Sequence, residues 1–245
     1  MQNLVLDDGR EFVFPLLLVD VVDENKVDLS SYTFLGTCFF VTKRGDAVTA
    51  GHVVPSPQDI PAGKRLVAAV QRDGKSEICW VTHGARWDEC DLALVHVNLP
   101  VTRCLAVAEP EVLAGMEVQL IGIPSHEVGG AGKEMRLLKG HVTFARSDRL
   151  ELNIAVPAGM SGSPVFVGTN VIGWATGYVR SEEIIESREE VVRISAYKEQ
   201  IEISTVSHVV YYGTAVAFSR LRGQSSPIFE GMTLMQFIQA RNTDD

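Results

Sequence analysis

The sequence predicts an all-β protein built in two halves and closed by one short C-terminal helix. Three observations predict it. Short runs rich in Val, Ile, Phe, Tyr and Thr recur along the chain, each bounded by Gly, Pro, Asp or Asn. The rhythm lapses once, over residues 98–115, which contain Pro100 and Pro110 and mark the join between the halves. Apolar residues take helical spacing only near the end, where Leu234, Phe237 and Ile238 share one face over residues 233–240. At 245 residues the chain can bury a sizeable core without metal or disulfide staples.

In chain order, residues 13–22 and 32–42 read as strands, with the polar stretch 23–31 as a loop between them. The turn Lys43-Arg44-Gly45-Asp46 then makes a hairpin whose second strand, Ala47-Val48-Thr49-Ala50, delivers His52 to a sheet rim. Residues 55–63 form a Pro-rich loop, and 64–70, 77–82 and 91–97 are three further short strands. Their spacing is that of a small barrel or sandwich. The second half repeats it at 117–123, 135–145, 150–156, 164–167, 171–178 and 211–221. Residues 180–202 hold seven glutamates against four basic residues and read as a solvated hairpin, with a regulatory or substrate-selecting role as the second reading. Gly129-Gly130-Ala131-Gly132 lacks the following Lys-Ser/Thr and helix start that a phosphate cradle needs.

Composition excludes several classes of function. A net charge of -9 and a pI near 5.2 oppose nucleic-acid binding, which shows as clustered Lys and Arg. The apolar run 12–22 is broken by Pro15 and Asp20 and is too short to span a bilayer, and residues 1–8 carry neither a basic nor a long apolar segment of a secretory signal. Cys38, Cys79, Cys90 and Cys104 form no C-x-x-C pair, so reduced thiols in a cytoplasmic setting are expected. No cofactor or metal is expected.

Gly159-Met160-Ser161-Gly162-Ser163-Pro164, just before the apolar run Val165-Phe166-Val167, describes a sharply bent backbone presenting one hydroxyl. A hydroxyl is a weak nucleophile and needs a base, an orienting group for that base, and donors for the developing oxyanion. His52, after Thr49-Ala50-Gly51, and Asp91, in Asp91-Leu92-Ala93-Leu94, are the candidates. With the serine turn, these motifs resemble those of the trypsin-like (chymotrypsin-fold, clan PA) serine peptidases, in that family's order of His, Asp and Ser. The likeness covers residues 35–177 well.

The resemblance implies two six-stranded antiparallel β-barrels with a short C-terminal helix, 1–108 carrying His52 and Asp91, and 109–245 carrying Ser161 and the charged insertion. It implies a serine endopeptidase working through an acyl-enzyme. Ser161 is the expected nucleophile, His52 the base, a buried Asp91 its orienting partner, and the backbone N–H groups of Gly159 and Ser161 the oxyanion hole. Ser163 is the nearest rival nucleophile. Ala155 and Val156 map to the base and wall of the primary pocket, and Thr176, Gly177 and Tyr178 to the strand that pairs with substrate. Thr176 also stands where its hydroxyl would reach Asp91.

Ala155 is uncharged, which argues against cleavage after Lys or Arg. Ala175 stands where the glutamyl endopeptidases carry histidine, so small or medium apolar residues are expected. Met160 replaces the aspartate with which the zymogen-activated members capture a new N-terminus, so the turn is expected to fold directly, or to be switched by a regulatory protein partner or by loop ordering. The alternative is a catalytically inactive trypsin-like protein-binding module. The expected partners are a protein or peptide substrate and a regulator, with no nucleic acid and no membrane.

Overall fold

The computed structural model of the chain describes residues 9, 11–23, 26–101, 103–125, 135–146, 149–195 and 198–243, with the course of the backbone alone at 83 and 180–211. Six strands form the first barrel: β1 (Val13–Asp23), β2 (Lys26–Phe40), β3 (Asp46–Ala50), β4 (Lys64–Arg72), β5 (Lys75–Trp87) and β6 (Leu92–Val97). They close in the order β1-β2-β3-β6-β5-β4. The second barrel uses β7 (Glu117–Gly122), β8 (Arg136–Ala145), β9 (Leu150–Leu152), β10 (Pro164–Val167), β11 (Asn170–Ser195) and β12 (Lys198–Ala217), closed in the order β10-β11-β12-β9-β8-β7. All the pairings within the barrels are antiparallel, and the fold is the one that the resemblance implies.

β1 shows how the sequence makes a barrel wall. Successive side chains of a strand point to opposite faces. Phe14, Leu16 and Leu18 enter the main core, whereas Leu17 and Val19 face outward into a second apolar cluster with Val67 and Ala69, roofed by Tyr32, Phe34 and Trp80. Both faces of β1 are covered, so its sequence reads as a continuous apolar run rather than an alternating one.

Several segments depart from expectation: β5 runs on to Trp87 rather than ending at residue 82, and Phe218–Leu221 is a 3-10 turn rather than strand. The stretch 23–31 is mostly strand, not loop: β2 begins at Lys26, and Asp23 pairs with Lys26, Val21 with Val27 and Asp20 with Asp28. These polar residues sit on an exposed extension of the hairpin, where ladder hydrogen bonds rather than burial hold the strand. The run 150–156, by contrast, stops pairing at Leu152. Asn153 Oδ1 accepts the His141 N–H at 2.7 Å, and the chain turns away toward the serine turn while Ile154 and Val156 stay buried.

The segment between the barrels is tethered, since Val171 and the 106–108 stretch exchange hydrogen bonds of 2.8 and 2.9 Å. The expected domain boundary at 108/109 lies within it. The helix α1 (Leu234–Asn242) starts behind a capping box in which Thr233 and Gln236 bond each other's backbone N–H groups. It returns to the first barrel: Phe237 stacks on Phe229 at 5.9 Å, Phe229 on Trp87 at 6.2 Å, and Asn242 accepts the Lys43 N–H. Leu234 and Phe237 are buried, and Ile238 is half-buried against the same core. All four cysteines are free, and burial raises each thiol's pKa, Cys38 to about 12. The glycine-rich stretch 129–132 lies outside the described residues.

Candidate active site

β3 ends at Ala50, and a 3-10 turn over Gly51–Val53 lifts His52 to the barrel rim. Asp91 does not open a strand as the sequence suggests. It ends the 3-10 turn Asp88–Cys90 in a left-handed conformation, φ 49° and ψ 47°, one that Asp tolerates better than most residues. That reversal aims its carboxylate at His52. Oδ1 accepts the His52 backbone N–H at 2.9 Å, and both carboxylate oxygens lie 3.0 Å from Nδ1.

The Asp91 side chain keeps 34% of its exposure and that of His52 50%, so the expectation of a buried aspartate is corrected. Position is enforced through the backbone instead. The Asp91 carbonyl accepts the Trp174 indole N–H at 2.9 Å and the Gly51 N–H at 2.9 Å, which ties the aspartate to the second barrel and to the turn bearing the histidine.

The serine turn comes from the second barrel. Met160 N–H bonds the Pro157 carbonyl and Ser163 N–H the Met160 carbonyl, which close the bend. Met160 is fully buried in the second core, so an apolar plug of about 1.5–3 kcal/mol stands where the zymogen-activated relatives use a charge pair. Gly162 has φ +86°, and a Cβ there would lie 2.1 Å from the Thr37 carbonyl oxygen. Gly159 has φ +92°, with the Ser125 N 2.5 Å from where a Cβ would sit.

Hydrogen bonds from other segments fix the peptide planes of this turn. Ser125 N–H donates to the Ala158 carbonyl at 2.8 Å. A trans peptide points its N–H opposite to its C=O, so the Gly159 N–H is turned to the other side. Thr37, fully buried in β2, donates its hydroxyl to the Gly159 carbonyl at 3.1 Å and its N–H to the Ser161 carbonyl at 2.9 Å. The Thr37 hydroxyl also accepts the Ile123 N–H, and its carbonyl accepts the Thr49 hydroxyl at 2.7 Å. Gly159 and Ser161 are left with backbone N–H groups that have no acceptor among the described residues.

The Ser161 hydroxyl is part-buried and donates to the Thr176 carbonyl at 3.4 Å. Ser163, the rival, is fully buried, with its hydroxyl unpartnered among the described residues, which removes it from reach of a substrate. The Thr176 hydroxyl bonds Thr214 at 3.1 Å rather than Asp91. Ala155 is exposed, whereas Val156 is buried in the second core beside Gly213, and Tyr178 is exposed on β11. His96 bonds the buried Asp46 at 2.9 Å, a structural pairing away from this site. Among the described residues no cluster of three or more His, Cys, Asp or Glu is arranged to hold a metal, and no helix is long and apolar enough to cross a membrane.

Thr37, Ser125 and Trp174 are the positioning groups that sequence reasoning missed. Each acts through a backbone group of another residue, a role that leaves no motif.

Comparison with known proteins gives the family. The Trypsin-like peptidase domain family matches residues 36–173, more than half of the sequence. The chain belongs to the trypsin-like peptidases. No curated protein matches it. Among solved structures, the HtrA-type protease AlgW with a decapeptide superposes with TM-score 0.53 at 16% identity, covering 85% of this chain and 61% of that one. The Rv3671c protease from M. tuberculosis in its active form gives TM-score 0.53 at 16% identity over 89% and 82%, and Deg5 gives 0.53 at 16% over 72% and 88%. The chain thus spans about six-tenths of the AlgW chain it matches with the decapeptide. At these identities the structures speak for the fold.

Proposed function

We propose that this trypsin-like peptidase is a serine endopeptidase in which Ser161, His52 and Asp91 form the catalytic triad. The single observation that carries the proposal is the His52–Asp91 pair, held by the Nδ1 contact and by the His52 backbone N–H; the serine turn packs by Gly162 against Ala50, two residues before His52, and its Gly159 and Ser161 N–H groups have no acceptor among the described residues.

Ser161 Oγ adds to the substrate carbonyl as its proton passes to His52 Nε2. The imidazolium is stabilised by Asp91, and the oxyanion is received by the Gly159 and Ser161 N–H groups. His52 then gives the proton to the leaving amine, and an acyl-Ser161 ester remains. Water repeats the sequence and frees the serine. In the free protein the Ser161 hydroxyl rests on the Thr176 carbonyl, and bound substrate that takes this carbonyl returns the hydroxyl to His52.

Val156, packed beside Gly213, and the uncharged Ala155 support a shallow primary pocket for a small or medium apolar side chain. Thr176, Gly177 and Tyr178 are the strand we assign to substrate pairing. The four free cysteines support a cytoplasmic location, and protein or peptide substrates fit the open strand. The apolar anchoring of Met160 supports a turn that folds without a cut N-terminus, which leaves control to a partner protein.

The test is labelling with a fluorophosphonate probe followed by mass spectrometry. One phosphonate adduct on the peptide containing Ser161 is expected. A folded protein that takes no adduct there refutes the proposal and favours the inactive binding module.

Thr37→Val keeps the shape of the side chain but leaves the Gly159 carbonyl and Ile123 N–H unpaired, at about 1–3 kcal/mol each. With the oxyanion turn released, kcat is expected to fall roughly 10- to 100-fold with KM little changed. Thr37→Ser, which keeps the hydroxyl, should restore most of it. Steady-state kinetics alongside thermal melts check this, and an unchanged kcat in the valine variant would show that the turn holds itself.

A further inference from the structure

His52 and Asp91 are part-exposed, so packing alone does not set the geometry of the pair, and one guanidinium grips both of the turns that carry it. Arg86 stands near the end of β5, five residues before Asp91. Its Nε and Nη2 donate to Asp88 Oδ1 at 2.9 and 2.6 Å. Its Nη1 donates to the Val54 carbonyl and to the Ser56 hydroxyl, at 3.3 Å each. Asp88 opens the 3-10 turn that leads into Asp91, and its carbonyl accepts the Asp91 N–H at 3.1 Å. Val54 closes the 3-10 turn that carries His52, and its N–H bonds the Gly51 carbonyl at 3.2 Å. One planar cation thus spans the first residue of one turn and the closing residue of the other.

β5 is shaped for this. Residues two apart on a strand face the same way, so Gly84 and Arg86 share a face. A Cβ at Gly84 would lie 3.4 Å from Val54 Cγ1, which means that Val54 seats on the strand where a side chain is missing. Arg86, two residues further on, then meets the Val54 carbonyl. Other bonds to the Asp91 turn come from the Trp174 indole on the Asp91 carbonyl, from Arg220 on the Glu89 carbonyl at 2.9 Å and from the Trp87 indole on the Glu89 carboxylate at 3.2 Å. Those three hold the aspartate's turn; Arg86 also holds the histidine's.

We propose that Arg86 is a positioning residue for the triad, fixing the separation of the His52 and Asp91 turns and so keeping Nδ1 within reach of both carboxylate oxygens. The proposal rests on the triad reading of the site. Magnitudes separate this role from a structural one. The Arg86–Asp88 ion pair, whose side chains keep 31% and 73% of their exposure, adds little to stability. A misplacement of about 1 Å at reacting groups, by contrast, costs up to roughly 100-fold in rate. Lysine keeps the charge, but a single ammonium lacks the flat fork that serves Asp88 and Val54 together.

Arg86→Ala is expected to lower kcat roughly 10- to 100-fold, with KM within about twofold of the wild type and the melting temperature lower by at most a few degrees. Arg86→Lys should recover little of the loss. Guanidinium chloride, added far below denaturing concentrations and compared with sodium chloride at the same ionic strength, should restore turnover in the alanine variant. Arg149→Ala is the control, because Arg149 pairs with Glu151 at 2.7 Å in the same i, i+2 arrangement on the second barrel. Its kcat should equal that of the wild type.

A readout without turnover comes from the ring-nitrogen NMR shifts of His52, which report its tautomer. In the Ser161→Ala protein the form protonated at Nδ1 should dominate. With Arg86→Ala added, it should fall toward the mixture of free imidazole and return with guanidinium. Unchanged kcat in Arg86→Ala, with Ser161 still labelled by the fluorophosphonate, overturns the inference and spares the triad. A slow variant that guanidinium does not rescue and whose His52 tautomer is unchanged assigns Arg86 to general stability, and also overturns it. If the alanine variant does not fold, Arg86→Gln and Arg86→Lys, which keep the stem, carry the same kinetic and tautomer comparison. An unlabelled Ser161 in the wild type refutes the triad reading, and the tautomer measurement then decides by itself whether Arg86 orders the His52–Asp91 pair.

Discussion

Asp91→Asn is expected to lower kcat by about 10^4-fold while the protein keeps its fold and its melting temperature. The carboxylate accepts two N–H groups of His52, that of the backbone at 2.9 Å and that of Nδ1 at 3.0 Å. An asparagine offers one acceptor and one donor in the same space. With the oxygen on the backbone N–H, its NH2 group faces Nδ1 and selects the tautomer protonated at Nε2. That imidazole has no lone pair for the Ser161 proton, although every residue stands in place. Single-turnover acylation measured beside a thermal melt separates the two outcomes. A loss below 10-fold would mean that the half-exposed imidazole chooses its tautomer from solvent, leaving Asp91 only a structural part.

Gly162→Ala is expected to destabilise the protein by more than about 4 kcal/mol and to remove fluorophosphonate labelling. Two costs add. The first is the left-handed backbone at φ +86°, worth about 1–2 kcal/mol for a residue with a Cβ. The second is collision with the Thr37 carbonyl at 2.1 Å and the Thr49 hydroxyl at 2.2 Å, both buried and both part of the hydrogen-bond chain holding the turn. Gly168→Ala is the control, since φ there is +62° and nothing lies within 4 Å of the added methyl. Scanning fluorimetry should show a fall of about 8–16 °C at Gly162 and a few degrees at Gly168. Equal falls would mean that the turn moves aside at little cost.

His52, Asp91 and Ser161 were legible because each belongs to a local pattern set by backbone geometry: a rim histidine after a strand, an aspartate before one, and a serine between glycines. The barrels were legible because β-branched runs and turns alternate at short spacing. Thr37 was not, because its neighbours Gly36, Cys38 and Phe39 read only as strand, and its two bonds to the serine turn span 122 and 124 residues. Trp174 lay unremarked within the expected strand 171–178; it is buried in the core, and only its indole N–H reaches Asp91. The exposure of Asp91 was misjudged because family resemblance carries position but not the height of surrounding loops. The strand character of residues 26–31 was hidden because polar residues carry no hydrophobic period.

The packing of α1 against the first barrel bears on when the molecule becomes able to act. Leu234 and Phe237 belong to the same apolar cluster as Phe14, Phe40 and Leu92. During synthesis the histidine and aspartate emerge early and the serine follows, yet the base-bearing barrel still lacks part of its covering. Only when residues 229–242 have left the ribosome can that core close, and with it the seat of His52. The first barrel is thus completed by the last helix of the described chain, and its core cannot close on the residues before Phe229 alone.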